Sequence, residues 1–200
     1  MDKVSNIACW TDYADTLSLL LTKLEVTDSC GACLNQTEAF RQWAGQTLAL
    51  ADAHSMYLAG NGASASLASH FAADLTKNAD VPAHVLTDPA LITAISNDIG
   101  YEEGFSVLLQ RYMRAGDMLA VISSSGNSPN IVNACRSVRR LGGYIVTVSA
   151  MQPDNAVRQF GDLNFYMPAS TYSLAESAHA AVLHYWLDGI IAAGEKRIVA

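Results

Sequence analysis

Two short stretches hold the residues best suited to chemistry: Gly60-Asn61-Gly62-Ala63-Ser64 and Ser123-Ser124-Ser125-Gly126-Asn127-Ser128. Each follows an apolar run and precedes a helical pattern, which places it at the carboxyl end of a strand, where open parallel sheets bind ligands. In the first stretch Gly60 and Gly62 let the backbone turn tightly and approach an anion. The N–H groups of the helix start point outward beside Asn61, Ala63 and Ser64. The second stretch supplies four hydroxyls around a glycine, followed by Pro129, a residue suited to a first helical turn. One serine suffices to cap a helix, so an N-cap with a solvated loop accounts for part of this composition. Four hydroxyls suit a phosphate with several oxygens.

Neither stretch fits G-x-G-x-x-G followed by an acidic ribose partner, nor G-x-x-x-x-G-K-[ST], so dinucleotide and nucleoside triphosphate readings fall. Backbone N–H groups and hydroxyls can bind a phosphorylated metabolite without formal positive charge. That matters here because the net charge is −7, and the basic residues are scattered apart from Arg136, Arg139 and Arg140. Binding to a nucleic-acid backbone needs clustered Lys and Arg, so no direct nucleic-acid partner is expected.

The elements that must position these turns follow from periodicity. Short runs apolar on both faces, at 56–59, 84–86, 118–122, 144–148 and 163–167, fit buried strands of a parallel sheet. Helical patterns lie between them at about 64–78, 91–96, 103–114, 128–141 and 154–159, with a long last helix over about 173–193. The fold class is therefore α/β, a doubly wound parallel five-stranded sheet of flavodoxin-like type, over residues 56–200. Residues 1–55 read as a helical extension without a strand, with Leu17, Leu20, Leu21 and Leu24 on one stripe and Phe40, Trp43, Leu48 and Ala51 on another. Such a helical pair often packs against a copy of itself.

At 200 residues, half of them hydrophobic, the chain can bury one core as a single domain over 1–200. No run of about 18 apolar residues could span a bilayer. The start, Met1-Asp2-Lys3-Val4-Ser5-Asn6, lacks a basic segment followed by an apolar core. A cytoplasmic protein with no membrane partner is expected. Cys30-Gly31-Ala32-Cys33 has redox or zinc-knuckle spacing, but neither a second pair nor a preceding strand is evident, which favours ordinary reduced thiols over a metal or redox role.

The two turns, about 60 residues apart, together with Ser96-Asn97-Asp98-Ile99-Gly100-Tyr101 between them, resemble the sugar isomerase (SIS) domain. Within that superfamily the sequence is most similar to the phosphoheptose isomerases, with a similar helical N-terminal extension. The resemblance implies conversion of sedoheptulose 7-phosphate to D-glycero-D-manno-heptose 7-phosphate for surface polysaccharides, by a zinc-containing homotetramer. It implies that Ser64, Ser123, Ser124, Ser125 and Ser128 hold the phosphate, and that Asn97 and Asp98 contact sugar hydroxyls.

The family carries a His and a Glu four residues apart after the first turn, and a Gln and a His eight apart on the last helix. This chain has His70 and Asp74 at the first pair, Glu176 and His184 at the second, and Asn78 where the family tends to carry Arg. By resemblance Asp74 and His184 are the catalytic acid/base pair, and His70, Asp74, Glu176 and His184 are metal ligands, with Glu176 also facing substrate. The spacings are compatible: residues 70 and 74 share a helix face, and 176 and 184 lie about two turns apart on another. Two His and two carboxylates can make a tetrahedral site for zinc, or suit another divalent metal. Structural roles also fit, His70 as a satisfied polar residue near the sheet edge and His184 as a buried histidine in an apolar helix. Asp74 is one methylene shorter than Glu, and a misplacement of about 1 Å can cost on the order of a hundredfold in rate. The alternative reading is a non-catalytic SIS adaptor, such as the tetrameric protein that associates with the initiator DnaA. Those proteins lose the acid and the last His, and this chain retains both positions.

Overall fold

Alternate residues of the strand Met118–Ser123 feed two separate cores, which is what a run apolar on both faces must do in a sheet covered by helices. Met118, Ala120 and Ile122 pack to one side, and Leu119 and Val121 to the other. The computed structural model describes residues 9–50 and 53–198. Met1–Asn6 and Ala51 of the sequence reading lie outside them.

The described elements are α1 (Trp10–Thr22), β1 (Glu25–Asp28), α2 (Gln36–Leu48), β2 (Met56–Gly60), α3 (Ala63–Asn78), β3 (Ala83–Val85), α4 (Pro89–Asp98), α5 (Gly104–Tyr112), β4 (Met118–Ser123), α6 (Pro129–Leu141), β5 (Tyr144–Ala150), β6 (Leu163–Met167) and α7 (Tyr172–Ile198). The sheet order is β1-β6-β5-β4-β2-β3. Neighbours from β3 to β6 pair in parallel. The doubly wound α/β reading therefore holds. No helix among the described residues is long and apolar enough to cross a membrane.

Two expectations need correction. The sheet has six strands: β1, inside the segment read as wholly helical, pairs antiparallel with β6 from Glu25 opposite Tyr166 to Asp28 opposite Leu163. Its four residues are too few for a period to show, but Val26 and Thr27 are β-branched and buried. The buried side chain of Asn164 reinforces the pairing, donating to the Thr27 and Asp28 carbonyls at 3.4 and 3.3 Å while accepting from Thr147 at 2.7 Å. The helix expected at 154–159 is only a 3-10 turn, Ala156–Gln159. There Asn155 turns inward, bonds the Gln152 carbonyl at 2.7 Å and leaves too little chain for an α-helix.

One face of the sheet is covered by α1, α2, α3 and α7, the other by α4, α5 and α6. On the first face Trp43 of α2 and Trp186 of α7, both fully buried, stack with centroids 4.1 Å apart and planes 12° from parallel. Such a pair contributes about 1 kcal/mol beyond its burial, and here it fixes α7 against the N-terminal segment. Cys30 and Cys33 are exposed free thiols in the loop after β1, where the Asp28 carboxylate accepts from the Cys30 and Ala32 N–H groups at 2.8 and 2.9 Å.

Candidate phosphate cup and acid–base pair

The first turn is built around a close approach. β2 ends at Gly60, where an added Cβ would lie 2.6 Å from the Ser64 carbonyl carbon, so only glycine lets the strand meet the following helix so tightly. Gly62 then adopts φ 55° and stands at the N-cap of α3 without a side chain to cap it. The positive end of α3 is left open beside the turn.

The second turn leaves β4 at Ser123. Gly126, at φ 63°, is pressed against Asn155, whose Oδ1 would lie 2.1 Å from an added Cβ. The Gly126 N–H donates to the Ser123 hydroxyl at 3.1 Å, and the Asn127 N–H to the Ser125 hydroxyl at 3.3 Å. Ser128 occupies the N-cap of α6, yet its side chain makes no capping bond. Capping therefore does not explain this serine. Among the described residues no hydrogen bond engages the hydroxyls of Ser64, Ser124 or Ser128, although Ser64 and Ser124 are only 5% and 6% exposed.

The two turns open into one cavity of about 310 Å³. It is lined by Asn61, Gly62, Ala63, Ser64, Ser123, Ser124, Ser125 and Ser128, together with Ile122, Tyr172 and Glu176. Eight turn residues read from the sequence thus share one wall, and α7 closes the other side. Tyr172, at the start of α7, had no signal in the sequence beyond its place four residues before Glu176. The lining holds no Lys, Arg or His, and its one charged residue is the acid Glu176.

Farther along the same two helices lies a second group. His70 Nε2 is 3.4 Å from Asp74 Oδ2, and Asn78 Nδ2 donates to the other Asp74 oxygen at 3.3 Å. The His184 ring meets that of His70 at 5.7 Å and that of Phe71 at 4.8 Å. His70 is about half exposed and His184 is exposed, so neither is a buried structural histidine. His70 lies six residues beyond Ser64 on α3, about 9 Å of helical rise.

The donor set of two imidazoles and two carboxylates suits a divalent metal chemically. Among the described residues, however, no three His, Cys, Asp or Glu side chains converge as ligands of one ion. Glu176 lines the cup, whereas His70 lies outside it, beside Asp74 on one side and the His184 ring on the other. Asn97 and Asp98 are exposed at the end of α4, bonded to each other at 2.7 Å, and do not line the cup. Their loop reaches it through Tyr101, whose hydroxyl donates to Asn61 Oδ1 at 2.9 Å.

Sequence reasoning also missed two histidine and asparagine positions. Asn130, 2% exposed, exchanges a reciprocal pair of 2.9 Å amide bonds with Asn61. His179 of α7 is fully buried with no hydrogen-bond partner on either ring nitrogen. Burial pushes its pKa down to about 4, outweighing the opposite effect of the Ser149 backbone nearby.

Comparison with known proteins places this geometry. Residues 35–150 match the SIS domain family model. The phosphoheptose isomerase of Fusobacterium nucleatum is 33% identical over 139 residues, spanning 66% of this chain and 71% of that protein. Among solved structures, a phosphoheptose isomerase from Neisseria gonorrhoeae aligns with a TM-score of 0.71 at 29% identity, over 76% of this chain and 86% of that one. One from Francisella tularensis aligns with a TM-score of 0.77 over 90% and 95%, and at 23% identity it speaks to the fold alone.

Proposed function

The chain belongs to the phosphoheptose isomerases of the SIS-domain family, and on that premise we propose that it interconverts sedoheptulose 7-phosphate and D-glycero-D-manno-heptose 7-phosphate. The observation that carries the reading is the single cavity lined by both phosphate-type turns, with an Asp and a His paired along the helices that leave it. The adaptor alternative is not favoured, since the relatives bear the enzyme's name and the acid and last His are in place.

The turns hold the phosphate through backbone N–H groups and the hydroxyls of Ser64, Ser124 and Ser128, which have no other partner among the described residues. That anchors one end of the sugar and directs its chain along α3 and α7 toward His70, Asp74 and His184. Aldose–ketose isomerisation moves a proton between C1 and C2 through a cis-enediol. Asp74 and His184 divide the work: one takes the proton from carbon and returns it to the neighbouring carbon, and the other moves a proton between the two oxygens. A 3.4 Å contact with His70 and a hydrogen bond from Asn78 hold the Asp74 carboxylate in one orientation.

The reading includes a divalent metal, zinc by family resemblance, for which His70, Asp74, His184 and Glu176 would be the donors once their side chains reorient to converge on one ion. When bound, such an ion polarises substrate oxygens as a Lewis acid. Charge balance supports a cation, because a phosphate dianion would otherwise share its cup with the Glu176 carboxylate and no basic side chain. The proposal extends to a cytoplasmic homotetramer serving heptose synthesis. An apolar groove of about 630 Å³ between α2 and α7, lined by Phe40, Ala44, Leu48 and Trp186, supports burial of this face by further copies.

The test is incubation with sedoheptulose 7-phosphate in D2O, followed by NMR. The expected result is the aldoheptose phosphate with solvent deuterium at C2. An unchanged substrate at high enzyme concentration would overturn the proposal.

A further inference from the structure

Asn61 stands at the centre of a hydrogen-bond relay whose polarity can be read from one end. The backbone N–H of Ile131 can only donate, and it donates to the side chain of Asn130 at 3.0 Å. The atom facing Ile131 must therefore be the Asn130 oxygen, which leaves its NH2 group toward Asn61. That NH2 donates to Asn61 Oδ1 at 2.9 Å, and Asn61 Nδ2 returns a 2.9 Å bond to Asn130 Oδ1. With Asn61 oriented in this way, the Tyr101 hydroxyl 2.9 Å from its Oδ1 must be a donor too.

Both acceptor positions of the Asn61 oxygen are thus occupied. What remains is the second N–H of Nδ2, which has no partner among the described residues, on a side chain that lines the phosphate cup. Asn130 is 2% exposed and cannot trade these bonds for water. Tyr101 is itself held in place, because Asn133 of α6 donates to the Glu102 carbonyl at 3.1 Å and to the Glu103 carboxylate at 2.8 Å. The relay ties the first turn, the second turn and the loop after α4 into one unit.

We infer that Asn130 and Tyr101 are positioning residues that fix the Asn61 amide as a hydrogen-bond donor toward an acceptor oxygen of the bound sugar phosphate. This rests on the sugar-phosphate reading of the cup. It makes the site selective in polarity: at this position it accepts a phosphate, carbonyl or ether oxygen and rejects a group that can only donate. A flipped amide would present an oxygen to an anionic ligand, which is repulsive.

The test is a double-mutant cycle on the Kd of sedoheptulose 7-phosphate, measured by calorimetry so that no turnover is needed. Asn61→Ala and Asn130→Ala should each weaken binding by about tenfold, the cost of one hydrogen bond to a charged group. The double variant should be within about twofold of Asn61→Ala alone, because Asn130 acts through Asn61. Asn130→Asp keeps the acceptor oxygen but replaces the NH2 donor by a second oxygen, and should bind no better than Asn130→Ala. If Asn130→Ala fails to fold, Tyr101→Phe, which removes one exposed hydroxyl, takes its place in the cycle with a smaller effect. Additive losses, or unchanged Kd in both Asn130→Asp and Tyr101→Phe, overturn the inference. Tight binding without isomerisation would sink the isomerase reading and leave the relay standing, and a wild-type chain that does not bind the sugar phosphate overturns both.

Discussion

The rings of His70 on α3 and His184 on α7 meet edge to face, with centroids 5.7 Å apart and planes at 66°. With Asp74 3.4 Å from His70, the His70 side chain touches both groups proposed for acid–base work. Replacing Asp74 or His184 by Ala should lower kcat by roughly 10²–10⁴ while leaving the circular-dichroism spectrum unchanged. Elemental analysis should find one divalent ion per chain, reduced in the His70→Ala protein. Wild-type kcat in both catalytic variants would remove these residues from the mechanism.

The phosphate turns allow a sharper separation of binding from chemistry. Ser124→Ala combined with Ser125→Ala removes two hydroxyls from the cup and should raise KM about a hundredfold, with a smaller change in kcat. Gly126→Ala should do at least as much damage, since its φ of 63° disfavours a side chain and the new Cβ would collide with Asn155. Unchanged KM in the double serine variant would mean that the phosphate binds elsewhere.

Acid sensitivity should trace to His179. Unfolded, its imidazole takes a proton near pH 6.5; folded, burial holds the pKa down to about 4. Between those values the unfolded state binds more protons, so stability falls as pH drops through the window and this group adds no further loss below it. The full effect is roughly 3 kcal/mol. Urea midpoints measured from pH 7 to 4 should fall less steeply for His179→Leu than for the wild type, and equal slopes would assign the sensitivity to other groups.

Assembly can be tested on α7. Gly189 lines the apolar groove, and an added Cβ there meets nothing within 4 Å. Gly189→Arg should therefore fold as an isolated chain, with a modest benefit to helix propensity. Light scattering should show four copies of the 21.4 kDa chain in the wild type and a smaller species in the variant. A monomeric wild type would refute the tetramer.

Much of the cup was legible because its cause is local. Glycines and hydroxyls at the end of an apolar run report a strand-to-helix turn directly, so Asn61 through Ser64 and Ser123 through Ser128 could be named without the fold. The pair His70 and Asp74 was legible for the same reason, being one helical turn apart. Asn130, Tyr101, Asn155 and His179 were not, since each acts through partners distant in sequence: Asn61 for the first two, the Gly126 turn for the third, the sheet for the fourth. β1 escaped because four residues carry too little period to distinguish a strand from a helix terminus. Asn97 and Asp98, expected to contact sugar hydroxyls, stand outside the cup with their side chains bonded to each other.

The antiparallel pairing of β1 with β6 also orders events in time. Residues 25–28 leave the ribosome at least 135 residues ahead of their partners at 163–166. One border of the sheet thus waits for every other described strand, a contact of very high sequence separation of the kind that slows folding. During that interval the four parallel strands from β3 to β5 have a raw edge on β5 and no cover from α7, whose Trp186 must still arrive to meet Trp43. Shortening the chain before residue 163 should therefore leave a nascent product prone to self-association, while a copy of the C-terminal segment supplied in trans has a ready-made place to dock.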